Sequence, residues 1–303
     1  MISVVISAYN EEKNIAACIE SVENLADEII VVDNMSTDAT ALIAKKSGAK
    51  VYSQENNPKK IDLQKNYGFE KATEEWILSL DADERVTQKL SQEIKNVLQH
   101  EDNTNAYLIP RKNIIFGKWI RNSIWWPDYQ LRLFKKGKGK FLKASVHKQL
   151  EVKGETKYMN EPITHYNYDS ISQYVSRMNN IYTEIEADTF MSEGKKLHWT
   201  EAIRMPASDF MKTYFFQKGY RDGLHGLILS SLQAFYMFLV FAKIWERQGF
   251  YERDSRDVLE GVGRELHVLS KDATFWMLKA MQENTRNPFK KAIYICARKL
   301  NKI

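Results

Sequence analysis

The amino-acid sequence predicts an α/β fold, a mainly parallel sheet flanked by helices and followed by a helical C-terminal extension. Three observations carry that expectation. Short apolar runs of strand length alternate with helical periodicities through residues 1–100, the runs at 3–8, 28–33 and 76–80 each lead into polar residues, and from residue 169 long helical repeats take over. Strands spaced by helices of this length pair in parallel and are covered on both faces. Ligand-binding residues then gather at the carboxyl ends of the strands.

Residues 3–8 form the first apolar run, and Ile15, Ile19 and Val22 follow at helical spacing behind the polar start Asn10-Glu11-Glu12. Residues 28–33 repeat the plan, with Ser36-Thr37-Asp38 supplying N-cap chemistry for a helix through Leu42 and Ile43. Residues 50–53 read as a third strand, 61–72 as a third helix, and 76–80 as a fourth strand that leads into Asp81-Ala82-Asp83. Beyond these, residues 129–134 alternate as a strand does. Ile171, Tyr174, Val175, Met178, Ile181 and Ile185 then recur with a helical period.

Residues 224–242 contain no Asp, Glu, Lys or Arg and are edged by Arg221 and Lys243. That length is near the lower limit for a membrane span, and His225, Gly226, Ser230, Ser231 and Gln233 dilute it. It reads as part of a helix pair that packs on the α/β domain or dips into a membrane interface, the alternative being a buried or dimer-forming helix. The expected division is an α/β domain over 1–168 and a helical extension over 169–303.

The chain has 303 residues and a formal net charge of +5, enough length for a full core. Its two cysteines, Cys18 and Cys296, lie far apart and give no disulfide framework, which fits a reducing cytoplasm. The N-terminus lacks a basic leader and runs straight into a strand, so no signal peptide is expected. Charge is uneven. Arg132, Lys135, Lys136, Lys138, Lys140, Lys143 and Lys148 fall between Tyr129 and Leu150 with no acid among them, so this is either a solvated hairpin or a surface for an anionic partner. Nucleic acid is not expected, because the charge is local and no recognition motif is present.

The most informative stretch is the uncharged run that ends in Asp81-Ala82-Asp83. Two hard oxygen ligands at the end of a buried strand can hold Mg²⁺ or Mn²⁺ and leave coordination positions for a diphosphate, although Asp is also common in surface turns. No Gly-x-Gly-x-x-Gly follows the first strand and no Gly-x-x-x-x-Gly-Lys-Ser/Thr occurs, so a glycine cradle for phosphate is missing. A cation held by carboxylates is the substitute.

Three segments together, residues 5–12, residues 30–38 and Leu80-Asp81-Ala82-Asp83, resemble glycosyltransferase family 2, the inverting GT-A enzymes that use nucleotide sugars. The resemblance continues through Gln64-Lys65-Asn66-Tyr67-Gly68, Ile109-Pro110-Arg111, residues 126–134, Val146-His147 and Gly223-Leu224-His225-Gly226. That longer pattern is similar to the bacterial branch containing lipopolysaccharide inner-core glucosyltransferases, which add β-linked glucose to heptose. Two departures stand out: related sequences usually read Val-His-Glu where this one has Val146-His147-Lys148, and Ser-Gly where this one has Asn34-Met35.

The resemblance implies a GT-A, Rossmann-like fold with a nucleotide-sugar half over 1–100 and an acceptor half over 101–168. It implies that Ala8, Tyr9, Glu11 and Asp33 hold the nucleotide, that Lys65 lies near the diphosphate or sugar, and that Asp81 and Ala82 face the ribose. Asp83 is the expected ligand of Mg²⁺ or Mn²⁺, with His147 either a second ligand or a structural histidine. Inversion needs a base on the face opposite the leaving group, and Asp128 is the candidate; pairing with Arg132 or capping a turn is its structural alternative. Trp126 and Arg132 are expected on the acceptor side. For Glu11 the alternative is an acid at a helix N-terminus, and for Lys65 a solvated helix face. His100, His165, His198, His225 and His267 share no ligand spacing and are read as structural.

The implied partners are a UDP-sugar donor and an anionic glycolipid or glycan acceptor, with a membrane surface and a homodimer as further expectations. The implied location is the cytoplasm, peripheral on the inner face of the cell membrane. A processive synthase is not expected, because multiple spans and a Gln-x-x-Arg-Trp motif are absent. A sugar nucleotidyltransferase would carry a Gly-rich basic loop after the first strand, and a non-catalytic membrane scaffold would not need Asp81, Asp83 and Asp128.

Overall fold

The computed structural model describes residues 1–58, 60–99, 103–142 and 150–300. The chain packs as two units, Met1–Trp119 with Trp125–Tyr174, and Ile120–Ile124 with Val175–Ile303. The first opens with β1 (Ile2–Ala8), α1 (Ile15–Glu20), β2 (Glu28–Asp33), α2 (Thr40–Lys46), β3 (Lys50–Ser53), α3 (Ile61–Lys71) and β4 (Trp76–Asp81). It continues with β5 (Glu84–Arg85), α4 (Gln88–Leu98), β6 (Thr104–Ile115), β7 (Lys118–Trp119), β8 (Asp128–Lys135), β9 (Gly139–Lys140), β10 (Glu151–Val152), β11 (Glu155–Tyr158) and β12 (Ile163–Tyr168).

The main sheet runs β3-β2-β1-β4-β8-β6-β12-β5. β3, β2, β1 and β4 pair in parallel, as do β6 with β11 and β12, so the sheet is mainly parallel as the sequence predicts, with β8 entering antiparallel between β4 and β6. Alternation on the parallel strands builds two cores. Val4, Ile6, Leu78 and Leu80 point to the face covered by Ile15, Ile19, Leu90 and Ile94, while Val5, Ile30, Val32 and Ile77 point to Phe69 and Phe134. Each such side chain contributes about 1.5–3 kcal/mol by leaving water. α3 approaches closely at Gly68, where a Cβ would stand 2.5 Å from Val5 Cγ1 and 2.7 Å from Val32 Cγ2.

Local expectations hold with two adjustments. α1 is shorter than its apolar period suggests, although Ile15, Ile19 and Val22 are all fully buried. Asp38 does not cap α2 from the N-cap position; its Oδ1 accepts from Thr40 N at 2.9 Å, one residue inside the helix.

The second unit is helical: α5 (Ile171–Arg177), which straddles the division, then α6 (Thr183–Ser192), α7 (Glu201–Phe210), α8 (Leu224–Arg247), α9 (Ser255–Asn284) and α10 (Pro288–Leu300). π-helical turns at Met178–Tyr182 and Met211–Phe216 interrupt the α-helical runs. The turn Ile120–Ile124 belongs here because Arg121 N and Asn122 Nδ2 donate to the Asp222 carboxylate and Ser123 N donates to Gln217 O. By length and composition α8 suffices to cross a membrane, with a third of its apolar window buried. The cations at its C-terminal end are already used: Lys243 bonds Glu184 Oε1 at 2.6 Å, and Arg247 bonds Asp188 Oδ1 at 3.0 Å.

Candidate active site

The parallel register fixes the site. Ala8 lies opposite Asp33 and Ser7 opposite Asp81, so the ends of β1, β2 and β4 form one edge. β8 runs the other way and brings its first residue, Asp128, opposite Arg111 on β6. The loops after β1 and β2 are tied together. Asn10 (φ 55°) donates from its backbone N to Ser36 Oγ at 2.9 Å and accepts from Thr37 N at 2.8 Å, while Glu11 N donates to Thr40 Oγ1 at 2.8 Å. Glu11 Oε2 accepts from Asn14 Nδ2, and Tyr9 is exposed. Asn34 donates to Ala8 O and accepts from Gln54 and Gln64, whose side chains line a cavity of about 480 Å³ together with Asn57, Lys60 and Leu63.

Asp81 is gripped from two sides. Lys65 Nζ lies 2.6 Å from its Oδ1 and Arg132 2.6 Å from its Oδ2. Lys65 reaches it because α3 sits flush on the sheet at Gly68, one turn away. Burial opposes ionisation of Asp81, but the charges of Arg132 and Lys65 outweigh it and hold the carboxyl well below its ordinary range. Arg132 also bonds Glu84 Oε1 at 2.6 Å, and Glu84 Oε2 accepts from Asp81 N. Asp62, 3.7 Å from Lys65, is pushed upward by burial.

A second network joins the other two acids. Asn113 Nδ2 donates to Trp125 O at 2.9 Å and faces Asp128 Oδ2 at 3.3 Å, which fixes the amide so that its Oδ1 is left for His165 Nδ1, 2.6 Å away. Nδ1 therefore carries a proton, and Nε2 faces Asp83 Oδ1 at 3.5 Å. Asp128 Oδ2 accepts from Arg111 Nε at 2.8 Å and Nη2 at 2.6 Å, while Oδ1 accepts from Gln130 at 2.7 Å. Burial resists the charge on Asp128, yet the Arg111 guanidinium and these hydrogen bonds lower its pKa below that of an ordinary aspartate.

A sequence profile described as Glycosyl transferase family 2 matches residues 3–150. An uncharacterised glycosyltransferase of Rickettsia typhi is 32% identical over 259 residues, covering 81% of this chain and 87% of that protein. The chain belongs to glycosyltransferase family 2. Its fold is GT-A-like, a curled mixed sheet flanked by helices. A further family member, the lipopolysaccharide core biosynthesis glycosyltransferase LpsC of Rhizobium meliloti, is 28% identical, covering 84% of this chain and 96% of that one. Glucosyl-3-phosphoglycerate synthase from Mycobacterium tuberculosis, solved with Mn²⁺, UDP and glucosyl-3-phosphoglycerate, is 24% identical with a TM-score of 0.31, over 37% of this chain and 44% of that one.

In this family 2 enzyme the edge of the sheet brings together Ala8, Asp33, Lys65, Asp81, Ala82 and Asp83, with Asp128 at the head of β8. One assignment changes. Arg132, expected on the acceptor side, is buried to 5% exposure and spends its guanidinium on Asp81 and Glu84, because its position on β8 aims it beneath the paired acids. It positions those carboxylates. Trp126 is half-buried and packs edge-on against Trp119 with centroids 5.3 Å apart. His147 lies outside the described residues, as do Lys143 and Lys148 of the basic stretch.

A divalent cation fits the donor set at Asp83. A carboxylate oxygen and an imidazole nitrogen whose other ring position is anchored lie 3.5 Å apart, both side chains buried, and suit Mg²⁺ or Mn²⁺. Among the described residues no three His, Cys, Asp or Glu side chains cluster as ligands, so a diphosphate would have to complete the coordination. Sequence reading set His165 aside because the histidines share no ligand spacing among themselves; the β5–β12 pairing, with His165 opposite Glu84, brings it beside Asp83. Asn113 and Glu84 gave no sequence signal.

Proposed function

We propose that this enzyme moves one sugar, glucose, from a UDP-sugar to a hydroxyl of a lipopolysaccharide-core or similar glycolipid acceptor, with inversion and with a divalent cation. The observation that carries this reading is the juxtaposition, in a family 2 chain, of a cation-suited pair, Asp83 and His165, with the anchored carboxylate Asp128 through one shared amide, Asn113. The name of LpsC supports the acceptor class, and the UDP and Mn²⁺ of the glucosyl-3-phosphoglycerate synthase complex accord with the donor class. A cytoplasmic site accords with the same reading, since nucleotide sugars are the donors.

Each residue then has a task. Asp33, with its Oδ1 buried and lacking a hydrogen-bond partner, accepts from the uracil N–H or a ribose hydroxyl. Ala8, Tyr9 and Glu11 border the base, and Lys65, held by Asp81, lies toward the diphosphate. Asp83 and His165 would hold the cation, which when bound would supply positive charge to offset that developing on the departing UDP. Asp128 takes the acceptor hydroxyl proton on Oδ1, the oxygen with a single donor, as the acceptor oxygen bonds to the anomeric carbon from the face opposite the breaking C–O bond. Trp126 offers an aromatic surface for the acceptor sugar.

The test is thermal stabilisation by a panel of nucleotide sugars with and without Mg²⁺ or Mn²⁺, followed by NMR of the product's anomeric configuration. Cation-dependent stabilisation by UDP and UDP-glucose, lost in Asp83→Ala, and a β-linked product are expected. Stabilisation independent of the cation, or a retained anomer, would overturn the reading.

A further inference from the structure

α10 has two faces of different use. Tyr294 and Ile295 are half-buried, and Arg298 lies over the ring of Phe275 on α9 at 5.5 Å, so the helix already has its packing face. On the other side Phe289, Ile293, Cys296 and Leu300 recur at helical spacing and stand in solvent, with exposures of 81% for Phe289, 62% for Ile293 and 71% for Leu300. At roughly 100° per residue, Lys290 and Lys299 fall about 80–100° to either side of that stripe. Lys290, Lys291 and Lys299 are exposed, and none is in an ion pair among the described residues. Residues 284–303 carry six Lys and Arg and no acid.

We infer that α10 is an interfacial helix that docks this protein on an anionic lipid bilayer, with Phe289, Ile293 and Leu300 in the acyl boundary and the flanking lysines at the headgroups. Hydrocarbon accepts the stripe, and anionic headgroups accept the cations on both flanks, which is the arrangement of a helix lying in the membrane plane. A second copy of the same helix would bring like charges together, and a nucleic acid would match the lysines but leave the apolar stripe in water. α8 lacks this pairing, because the cations at its C-terminal end are bound to α6. The docking does not depend on the transfer reaction.

The purified full chain is sedimented with vesicles of phosphatidylcholine alone and of equal parts phosphatidylcholine and phosphatidylglycerol, at low and high salt. Cys296 is exposed while Cys18 is buried, so an environment-sensitive fluorophore reports from the stripe itself. Binding to the anionic vesicles alone, weakened by salt, with a blue-shifted probe, is expected. Each lysine near an anionic surface is worth roughly fivefold in partitioning, so K290E/K299E should lose at least about twenty-five-fold. Phe289→Ser with Ile293→Ser should lose binding while keeping the helical circular dichroism and thermal transition of the parent. Equal binding to both vesicles, no binding to either, or a probe shift that grows with protein concentration without lipid would overturn the inference, the last in favour of a second copy.

Discussion

Both ends of β2 carry a buried carboxylate, and the fold treats the two in opposite ways. Glu28, at the amino end, accepts from Ser3 Oγ and Lys50 Nζ at 2.7 Å each and from Thr73 N and Oγ1 at 3.0 Å each. Burial pushes its pKa up, but those donors prevail and lower it to about 2. Asp33, at the carboxyl end, accepts from Ser36 N through Oδ2, while Oδ1 is buried with no hydrogen-bond partner. An unfilled buried acceptor costs roughly 1–3 kcal/mol. The amino end therefore uses its acid for stability, and the carboxyl edge keeps an unfilled acceptor, the one proposed above to meet the nucleotide. Asp128 follows the second pattern, fixed through Oδ2 and under-used at Oδ1.

That contrast is sharpest at the proposed base. Asp128→Asn should lower turnover by about 10²–10⁴ while UDP still stabilises the protein, because proton removal fails and donor binding does not. Steady-state transfer beside a melting curve with UDP checks it, and unimpaired turnover would remove Asp128 from the chemistry.

At the other end of the sheet the effect should appear in stability alone. Glu28→Gln should cost about 1–3 kcal/mol in denaturant unfolding, with unchanged activity per folded molecule. The sign with pH follows from linkage: a pKa lowered from 4.5 to about 2 gives stability that is full above pH 4.5 and disappears as pH falls through about 2. Loss of that acid-range dependence in the variant is the diagnostic.

Asp33→Asn should reverse the pattern of Glu28→Gln. It leaves unfolding nearly unchanged and weakens UDP binding by roughly tenfold, the worth of one charge-assisted hydrogen bond, measurable by calorimetry. A large fall in stability would place Asp33 with Glu28 as a structural acid. The smallest expected effect concerns Arg111→Gln. Without the guanidinium, burial dominates at Asp128 and its pKa rises, so the acid limb of kcat/KM should move to higher pH.

The strands 3–8, 28–33, 50–53 and 76–80, the acids that close them and the long helical tail were legible along the chain, because alternation, turn chemistry and helical period are local properties. The amphipathic end helix was legible in part: its lysines and lack of acid showed in the composition, but which face stays open depends on how α10 meets α9. Arg132 illustrates the limit. Its place in an alternating strand was readable, yet the sequence does not reveal that β8 inserts antiparallel beside β4 and turns the guanidinium onto Asp81.

The sequence by itself determined where the chain would put carboxylates relative to strand ends, and hence the edge at which the proposed chemistry sits. Only the tertiary structure decided which carboxylates stay under-used and who holds them. The Asn113–His165–Asp83 link and the attachment of residues 120–124 to Asp222 join groups 50 or more residues apart. Such contacts arise from strand pairing and packing across the sheet, and no spacing rule within one element encodes them.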